Sequence, residues 1–149
     1  MLLSVGRKPD GSLKDTRRNI LERHQFVVHI ASAAMAEAVT QSSASFESGV
    51  SEVAALGLEL TPFVDFSVPR LAACSIAYAC ELYEEHAIAG MKQTLLIGRI
   101  RHIYIADELV EEDEKGRTQI SALKVQPLAR LGGDNYWVNG DVLSIKRPR

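Results

Sequence analysis

Residues 6–16 read GRKPDGSLKDT, and this turn-rich basic segment is the most informative part of the chain. Its glycines and proline predict a turn, and Asp15 or Thr16 is predicted to cap the helix that follows. Such a turn brings Lys14, the Thr16 hydroxyl and free backbone N–H groups around one point, an arrangement that binds phosphate. The same spacing also fits a solvated basic helix start. The segment is not a Walker A loop, which would require a Gly-Lys-Ser or Gly-Lys-Thr junction.

The composition is that of one ordinary globular domain. The chain has 149 residues, of which 46% are apolar and 24% are charged, so it is neither disordered nor fibrous. A net charge of −2 excludes the overall basic field that holds a nucleic-acid backbone or an anionic membrane. Any anion site must therefore be local, and residues 7–18 carry five basic against two acidic side chains, a net +3.

The sequence predicts a soluble, cytoplasmic protein with no membrane or nucleic-acid partner. No stretch approaches the roughly 18 apolar residues of a membrane-spanning helix, and the apolar run at residues 1–5 is too short for a secretory signal. Cys74 and Cys80 are too few for a disulfide scaffold, which favours buried thiols in a reducing compartment. The four histidines lack the spacing of a zinc motif and no serine lies in a G-x-S-x-G motif, so we predict neither a metal site nor a hydrolase.

Hydrophobic patterning predicts a protein that is mainly β with a few short helices. Residues 76–83 place Ile, Tyr, Cys and Leu on one face, and residues 94–106 carry apolar side chains on both faces, as a strand of a closed sheet does. The other predicted elements are strands at 1–5, 26–30 and 142–145, helices at 17–24 and 32–39, a helical turn at 52–56 capped by Ser51, an extended but poorly paired segment at 60–69, and a solvated turn at 107–114.

A family resemblance rests on residues 6–16 together with Asn19-Ile20 and Phe26-Val27-Val28. This part of the chain resembles the flavin reductase-like, FMN-binding proteins, whose Lys-Asp-Thr core is present here as residues 14–16. Further pieces match in the same order: Ser51-Glu52 before Gly57-Leu58, Val68-Pro69-Arg70 before Cys80-Glu81, residues 96–100, and residues 127–133 with Tyr136. The resemblance covers nearly the whole chain and predicts a single domain over residues 1–149.

The resemblance implies a split β-barrel that forms a homodimer and holds FMN non-covalently near the interface. The residues it assigns to the cofactor are Arg7, Lys14, Asp15 and Thr16 around the phosphate, with Arg130 and Tyr136 as further candidates. In such proteins the flavin accepts hydride from NADH or NADPH and passes electrons on, while the protein binds and orients it. We therefore expect no side chain to act as a catalytic acid or base.

The sequence departs from the family at its start. Members usually carry further residues upstream, which form the first barrel strands and cradle the isoalloxazine ring, so a barrel incomplete at the N-terminus is expected here. Its open edges would be closed by a partner subunit. His29 also stands where the family has Asn. Two alternatives follow: a truncated, non-enzymatic dimeric relative with weak or no FMN binding, and a flavin-bound electron carrier with no nicotinamide site.

Overall fold

The computed structural model describes residues 1–44, 46–47, 49–138 and 140–142. The strands are β1 (Leu2–Val5), β2 (Gln25–Ile30), β3 (Leu60–Phe63), β4 (Phe66–Leu71), β5 (Ile76–Ala87), β6 (Thr94–Ile105), β7 (Val110–Glu112), β8 (Thr118–Ile120), β9 (Ala129–Gly132) and β10 (Asn135–Trp137). The helices are α1 (Asp15–Arg23), α2 (Ala36–Gln41), α3 (Glu52–Ala55) and α4 (Ala122–Val125), with 3₁₀ turns at Ala33–Met35 and Asp107–Leu109. The fold is mainly β, as predicted.

The main sheet has four antiparallel strands in the order β1-β6-β5-β2. Phe26 of β2 lies opposite Cys80 of β5, and Leu3 of β1 lies opposite Leu96 of β6. The long β5–β6 pair has two register shifts, one after Ala79 and one after Leu82. Such bulges bend a strand pair and increase its twist, and the sheet is curled into a half-barrel.

Each face of the curled sheet is covered by a different element. On one face, Ile20 of α1 packs into a buried cluster with Phe26, Cys80 and Leu96. On the other face, the β3–β4 hairpin, whose strands pair with each other and not with the main sheet, places Phe63 against Ala77 and Ala79. Because side chains alternate between the faces of a strand, β2 has α1 on one side and the hairpin on the other.

Gly98 of β6 lies against the Phe26 ring and has no room for a side chain. A methyl group built on Gly98 would lie 2.5 Å from the tip of the Phe26 ring and 3.4 Å from the Cys80 Cβ. The ring packs in one buried cluster with Ile20, Cys80 and Leu96, so moving it away from a methyl group disturbs those contacts. We expect Gly98→Ala to lower the free energy of unfolding by about 1–3 kcal/mol, measured by urea denaturation.

Gly6→Ala is the matched control for Gly98→Ala, since a methyl group on Gly6 meets nothing within 4 Å. We expect this variant to unfold within about 0.5 kcal/mol of the original chain. A Gly98→Ala variant as stable as Gly6→Ala would contradict the close packing of Phe26 on β6.

The strands predicted at 26–30, 76–83 and 94–106 are confirmed as β2, β5 and β6, and the Ser51 hydroxyl accepts the Ala54 N–H at 3.4 Å as the expected cap of α3. Two other predictions are corrected. The N-cap of α1 is Lys14, and neither Asp15 nor Thr16 caps the helix. Residues 107–114 are not simply a solvated turn: Leu109 is 2% exposed and packs with Ile76 and Ala106 beneath the β7–β8 hairpin.

The segment at residues 60–69 is better paired than predicted, because it forms the hairpin. Leu60 lies opposite Leu71 and Thr61 opposite Arg70, but the register shifts at Pro62. Proline has no N–H to give to a ladder, which accounts for the irregular pairing. The strand predicted at 142–145 lies outside the described residues apart from Val142, which is in no strand.

No helix in the described part of the chain is long and apolar enough to cross a membrane. Both cysteines are buried free thiols. The Cys80 side chain is in the cluster beneath α1, whereas the Cys74 Sγ lies 3.3 Å from the Met35 Sδ at the 3₁₀ turn. Burial raises the pKa of both thiols, so neither has the ionised form that a reactive thiol requires.

Candidate functional site

A cleft of about 540 Å³ runs along the outer edge of β2. Its two walls are α1 and β4, and residues of the segment that leads into α3 also line it. The lining residues are Leu3, Asp15, Thr16, Arg18, Asn19, Ile20, Arg23, Gln25, Phe26, Val27, Val28, Phe46, Glu47, Gly49, Val50, Ser51, Glu52 and Val68. A volume of this order, within the range of about 300–1,000 Å³, is typical of small-molecule and cofactor sites.

The α1 wall of the cleft is cationic and polar. Thr16, Asn19 and Arg23 are spaced three and four residues apart, which places them on one face of the helix, and Arg18 lies beside them. Arg17 points elsewhere: its Nε donates to a Glu85 oxygen at 2.7 Å and so ties α1 to β5. This ion pair fixes the helix that carries the wall.

Asp15 also lines the cleft, but its charge is already compensated. The Lys8 ammonium lies 3.0 Å from one carboxylate oxygen, and the Arg18 guanidinium donates to the other. The hydrogen bond from Lys8 and the charge of Arg18 hold the pKa of Asp15 below its usual 3.8. Asp15 therefore stays ionised at neutral pH and holds Arg18 at the start of α1.

The floor of the cleft is β2, which is an edge strand of the main sheet in the described part of the chain. An edge strand presents N–H and C=O groups that no neighbouring strand uses. Phe26, Val27 and Val28 line the cleft at this edge. A flat ligand with a polar rim can therefore find hydrogen-bond partners and apolar surface on the same strand.

The second wall is β4, which contributes Val68. Two side chains of β2 hold this strand in place: the Gln25 side-chain carbonyl accepts from the Ser67 hydroxyl, and the His29 Nε2 accepts from the Leu71 N–H at 2.9 Å. The β2 edge thus determines where the hairpin wall stands.

The predicted cofactor residues are distributed over two regions. Asp15 and Thr16 line the cleft, whereas Arg7 and Lys14 belong to the turn before α1 and do not line it. The Arg7 guanidinium donates to the Gly11 carbonyl at 2.8 Å and so closes that turn. Lys14 is exposed directly in front of the helix start.

Arg130 and Tyr136 lie together in the β9–β10 hairpin and do not line the cleft. The Tyr136 hydroxyl is 3.1 Å from both the Arg130 guanidinium and the Thr40 hydroxyl of α2. The Arg130 guanidinium is also 5.4 Å from the Tyr136 ring centroid. The pair joins the C-terminal hairpin to α2.

Sequence reasoning missed Arg18, Asn19 and Arg23 as site residues. The spacing of Thr16, Asn19 and Arg23 could have indicated a polar helix face, but not what that face meets. Among the described residues, no group of three or more His, Cys, Asp and Glu side chains could hold a metal ion. The α1 wall thus suits an anion, whereas Glu47 and Glu52 place two carboxylates on the loop side of the cleft.

A family model described as the flavin reductase like domain matches residues 1–128, which include both walls and the floor of the cleft. The chain belongs to the flavin reductase-like family. This membership connects its function with flavin.

Relatives in this flavin reductase-like family match along almost the whole chain. An uncharacterized protein of Halalkalibacterium halodurans is 39% identical over 98% of this chain and 69% of its own length. The structure of nitrilotriacetate monooxygenase component B from Bacillus cereus is 32% identical, with a TM-score of 0.84 over 97% of this chain and 70% of that one. The structure of Pseudomonas fluorescens 2-nitrobenzoate 2-nitroreductase is 33% identical, with a TM-score of 0.80 over 99% and 68%.

Proposed function

We propose that the chain binds FMN in the β2 cleft and transfers electrons from NADH or NADPH to the flavin. The observation that carries the proposal is one cleft of cofactor size in which the polar, cationic face of α1 lies beside the apolar side chains of β2. The described residues fit the cofactor, because Thr16 and Arg18 near the start of α1 suit a phosphate and the apolar side chains of β2 suit a planar ring.

Within this proposal the start of α1 holds the phosphate. The Thr16 hydroxyl and the backbone N–H groups of the first turn donate to it, and Arg18, oriented by Asp15, adds charge-assisted hydrogen bonds. Lys14 and Arg7 contribute positive charge from the turn in front of the helix. Bound FMN supplies the hydride and electron chemistry, and the residues of the chain bind and orient it.

Arg130 and Tyr136 are proposed as a second contact with the cofactor, held in place by Thr40.

We also propose that residues 1–149 act as one domain of a cytoplasmic homodimer. Exposed apolar side chains on the central strands support a partner, among them Tyr83 at 62% and Ile103 at 57% exposure.

The names of two relatives support an oxidation–reduction role. The Bacillus cereus protein is named as a monooxygenase component, and the Pseudomonas fluorescens protein is named as a nitroreductase. Both are about one-third identical to this chain and share its fold over nearly its whole length.

The test is the visible absorption spectrum of the purified protein, followed by titration with FMN and an NADH and NADPH oxidation assay. We expect about one FMN per chain and oxidation of at least one nicotinamide. A colourless protein that does not bind added FMN would contradict the proposal and favour a non-enzymatic relative. A protein that binds FMN but oxidises neither nicotinamide would favour an electron carrier.

Lys14 provides a prediction about the phosphate end of the site. We expect Lys14→Ala to weaken FMN binding by about three- to tenfold, because a solvated cation near a helix start contributes modestly to anion binding. The measurement is quenching of flavin fluorescence. The control is Asp10→Ala, since the Asp10 carboxylate accepts from the Ser12 N–H and hydroxyl, at 2.8 and 2.7 Å, and does not line the cleft. Equal affinities for the two variants would remove Lys14 from the site.

A further inference from the structure

His29 lies where β2, β4 and the middle of the main sheet meet. Its position on β2 puts it on the same face as Gln25 and Val27, the face that carries the hairpin. The Leu71 N–H donates to the His29 Nε2 at 2.9 Å. Leu71 is the last residue of β4, so this bond fixes the end of the strand that supplies the second wall of the cleft.

Arg70 spans the sheet beside this bond. Its guanidinium lies 3.4 Å from the centroid of the Tyr104 ring on β6, and Tyr104 is opposite Ala77, which is itself opposite His29. Besides its ladder with β3, the end of β4 is therefore held to the main sheet at two points, at His29 on β2 and at Tyr104 on β6. We call the contacts of His29, Arg70, Leu71 and Tyr104 the hairpin clamp.

We propose that His29 is a positioning residue: its neutral imidazole closes the hairpin clamp and so holds the β4 wall of the cleft, and protonation opens the clamp. An imidazolium has a proton on both nitrogens and cannot accept the Leu71 N–H. It would also place a positive charge beside Arg70. Both changes destabilise the contacts that hold the end of β4. The consequence for flavin binding rests on the proposed function.

The surroundings of His29 contain little that would offset a positive charge. The strand opposite it presents Ala77 and Ala79 on this face, and Val27 is its neighbour on β2. The titratable and charged groups of the packed elements are Arg70 of β4, which acts on the His29 pKa, Tyr104 and His102 of β6, and Cys74 after β4. The carboxylate on this face is Glu81 of β5, which lies opposite Gln25, four residues along β2 from His29, and pairs with Arg101 at 3.5 Å.

The direction of the pH effect follows from this environment. Burial, with a further contribution from the Arg70 charge, lowers the pKa of His29 below its ordinary 6.5. A released hairpin exposes the imidazole to water and returns its pKa towards 6.5. The clamp is therefore fully closed above pH 6.5 and weakens as the pH falls from 6.5 towards the lower value of the closed state.

Trypsin can report on the clamp without any flavin. Arg70 is the only Lys or Arg between Arg23 and Lys92, so cleavage at 70–71 gives unambiguous fragments by mass spectrometry. When reclosing is faster than cleavage, the rate follows the open population. We expect the rate at 70–71, divided by the rate on a peptide of residues 64–76, to rise about two- to fourfold between pH 8 and pH 6.

His29→Gln is the deciding variant, because the Gln side-chain carbonyl reaches about as far as the imidazole Nε2 and does not titrate in this range. We expect its normalised cleavage rate to be the same at both pH values. His102→Gln is the matched control and should keep the rise, since His102 packs on Phe63 and Phe66 rather than on Leu71. A flat profile in the original chain, or a rise that persists in His29→Gln, would overturn the proposal.

A second measurement needs no variant. In ¹⁵N-labelled protein the Leu71 amide resonance should shift with the same midpoint as the His29 ring protons. A Leu71 amide resonance that does not change during the titration would overturn the clamp.

Flavin affinity is then measured at pH 8 and pH 6. If the cleavage rate rises as expected and flavin binds more weakly at pH 6 than at pH 8, both results support the full proposal. If the cleavage rate rises but flavin binds equally at the two pH values, the effect of the clamp on the cleft wall is refuted. If the cleavage rate rises as expected but no flavin binds at either pH, the clamp proposal stands and the proposed function is refuted.

Discussion

Arg18→Ala is expected to weaken FMN binding about ten- to a hundredfold. A hydrogen bond to a charged group is worth about 1.5–3 kcal/mol, which corresponds to this range of affinity. Arg18 lines the cleft and donates to Asp15. Its loss therefore removes a donor to the phosphate and also leaves the Asp15 carboxylate, with only Lys8 beside it, facing an anionic ligand. Both effects weaken FMN binding.

The measurement for Arg18→Ala is a fluorescence titration with FMN at low and moderate salt. Arg117→Ala is a matched control, because Arg117 also makes an ion pair with an aspartate, Asp113, but lies in the β7–β8 turn and does not line the cleft. We expect Arg117→Ala to bind FMN as the original chain does. If Arg18→Ala also bound FMN with unchanged affinity, the phosphate could not lie at the α1 wall.

Leu96→Ala is expected to have the largest effect on stability, lowering the free energy of unfolding by about 2–5 kcal/mol. Leu96 is 0% exposed and packs in one buried cluster with Ile20, Phe26 and Cys80. Truncation leaves a cavity under α1. Leu96 is on β6, which is paired with β1 on one side and β5 on the other, so the backbone cannot move in to fill the cavity. Because Ile20 anchors the helix wall, FMN binding should weaken as well.

The measurement for Leu96→Ala is the urea midpoint together with the slope of the transition. Leu2→Ala is the matched control on the adjacent strand, since Leu2 is 59% exposed, and it should cost less than about 1 kcal/mol. An equal loss of stability in the two variants would mean that the cluster beneath α1 is not the core of the protein.

The main sheet could be predicted from the sequence because its strands have a periodic signal. Residues 76–83 alternate, and residues 94–106 form a long run of β-type side chains, so the central pair β5–β6 follows from local pattern. The resemblance, confirmed by family membership, supplied the split-barrel architecture. The strand pattern depends on residues that are close together in the chain, whereas the barrel architecture came from the resemblance.

The features that could not be predicted depend on contacts between distant residues. Leu109 lies in an acidic stretch that suggests solvent, yet it is buried because β5 brings Ile76 against it. Asp15 would be a good N-cap by residue type, but Lys8 and Arg18 take its carboxylate. Arg18 and Arg23 belong to the cleft only because β2 is an edge strand beside α1, which no local pattern states.

The two buried thiols make the chain its own probe of local opening. An alkylating reagent can reach Cys80 only when the packing beneath α1 separates, and can reach Cys74 only when its contact with Met35 opens. Labelling rates at the two positions, read separately by mass, would therefore give two opening free energies within one molecule. A ligand bound against α1 should slow labelling of Cys80 more than that of Cys74, so thiol chemistry can locate an occupant of the cleft without spectroscopy.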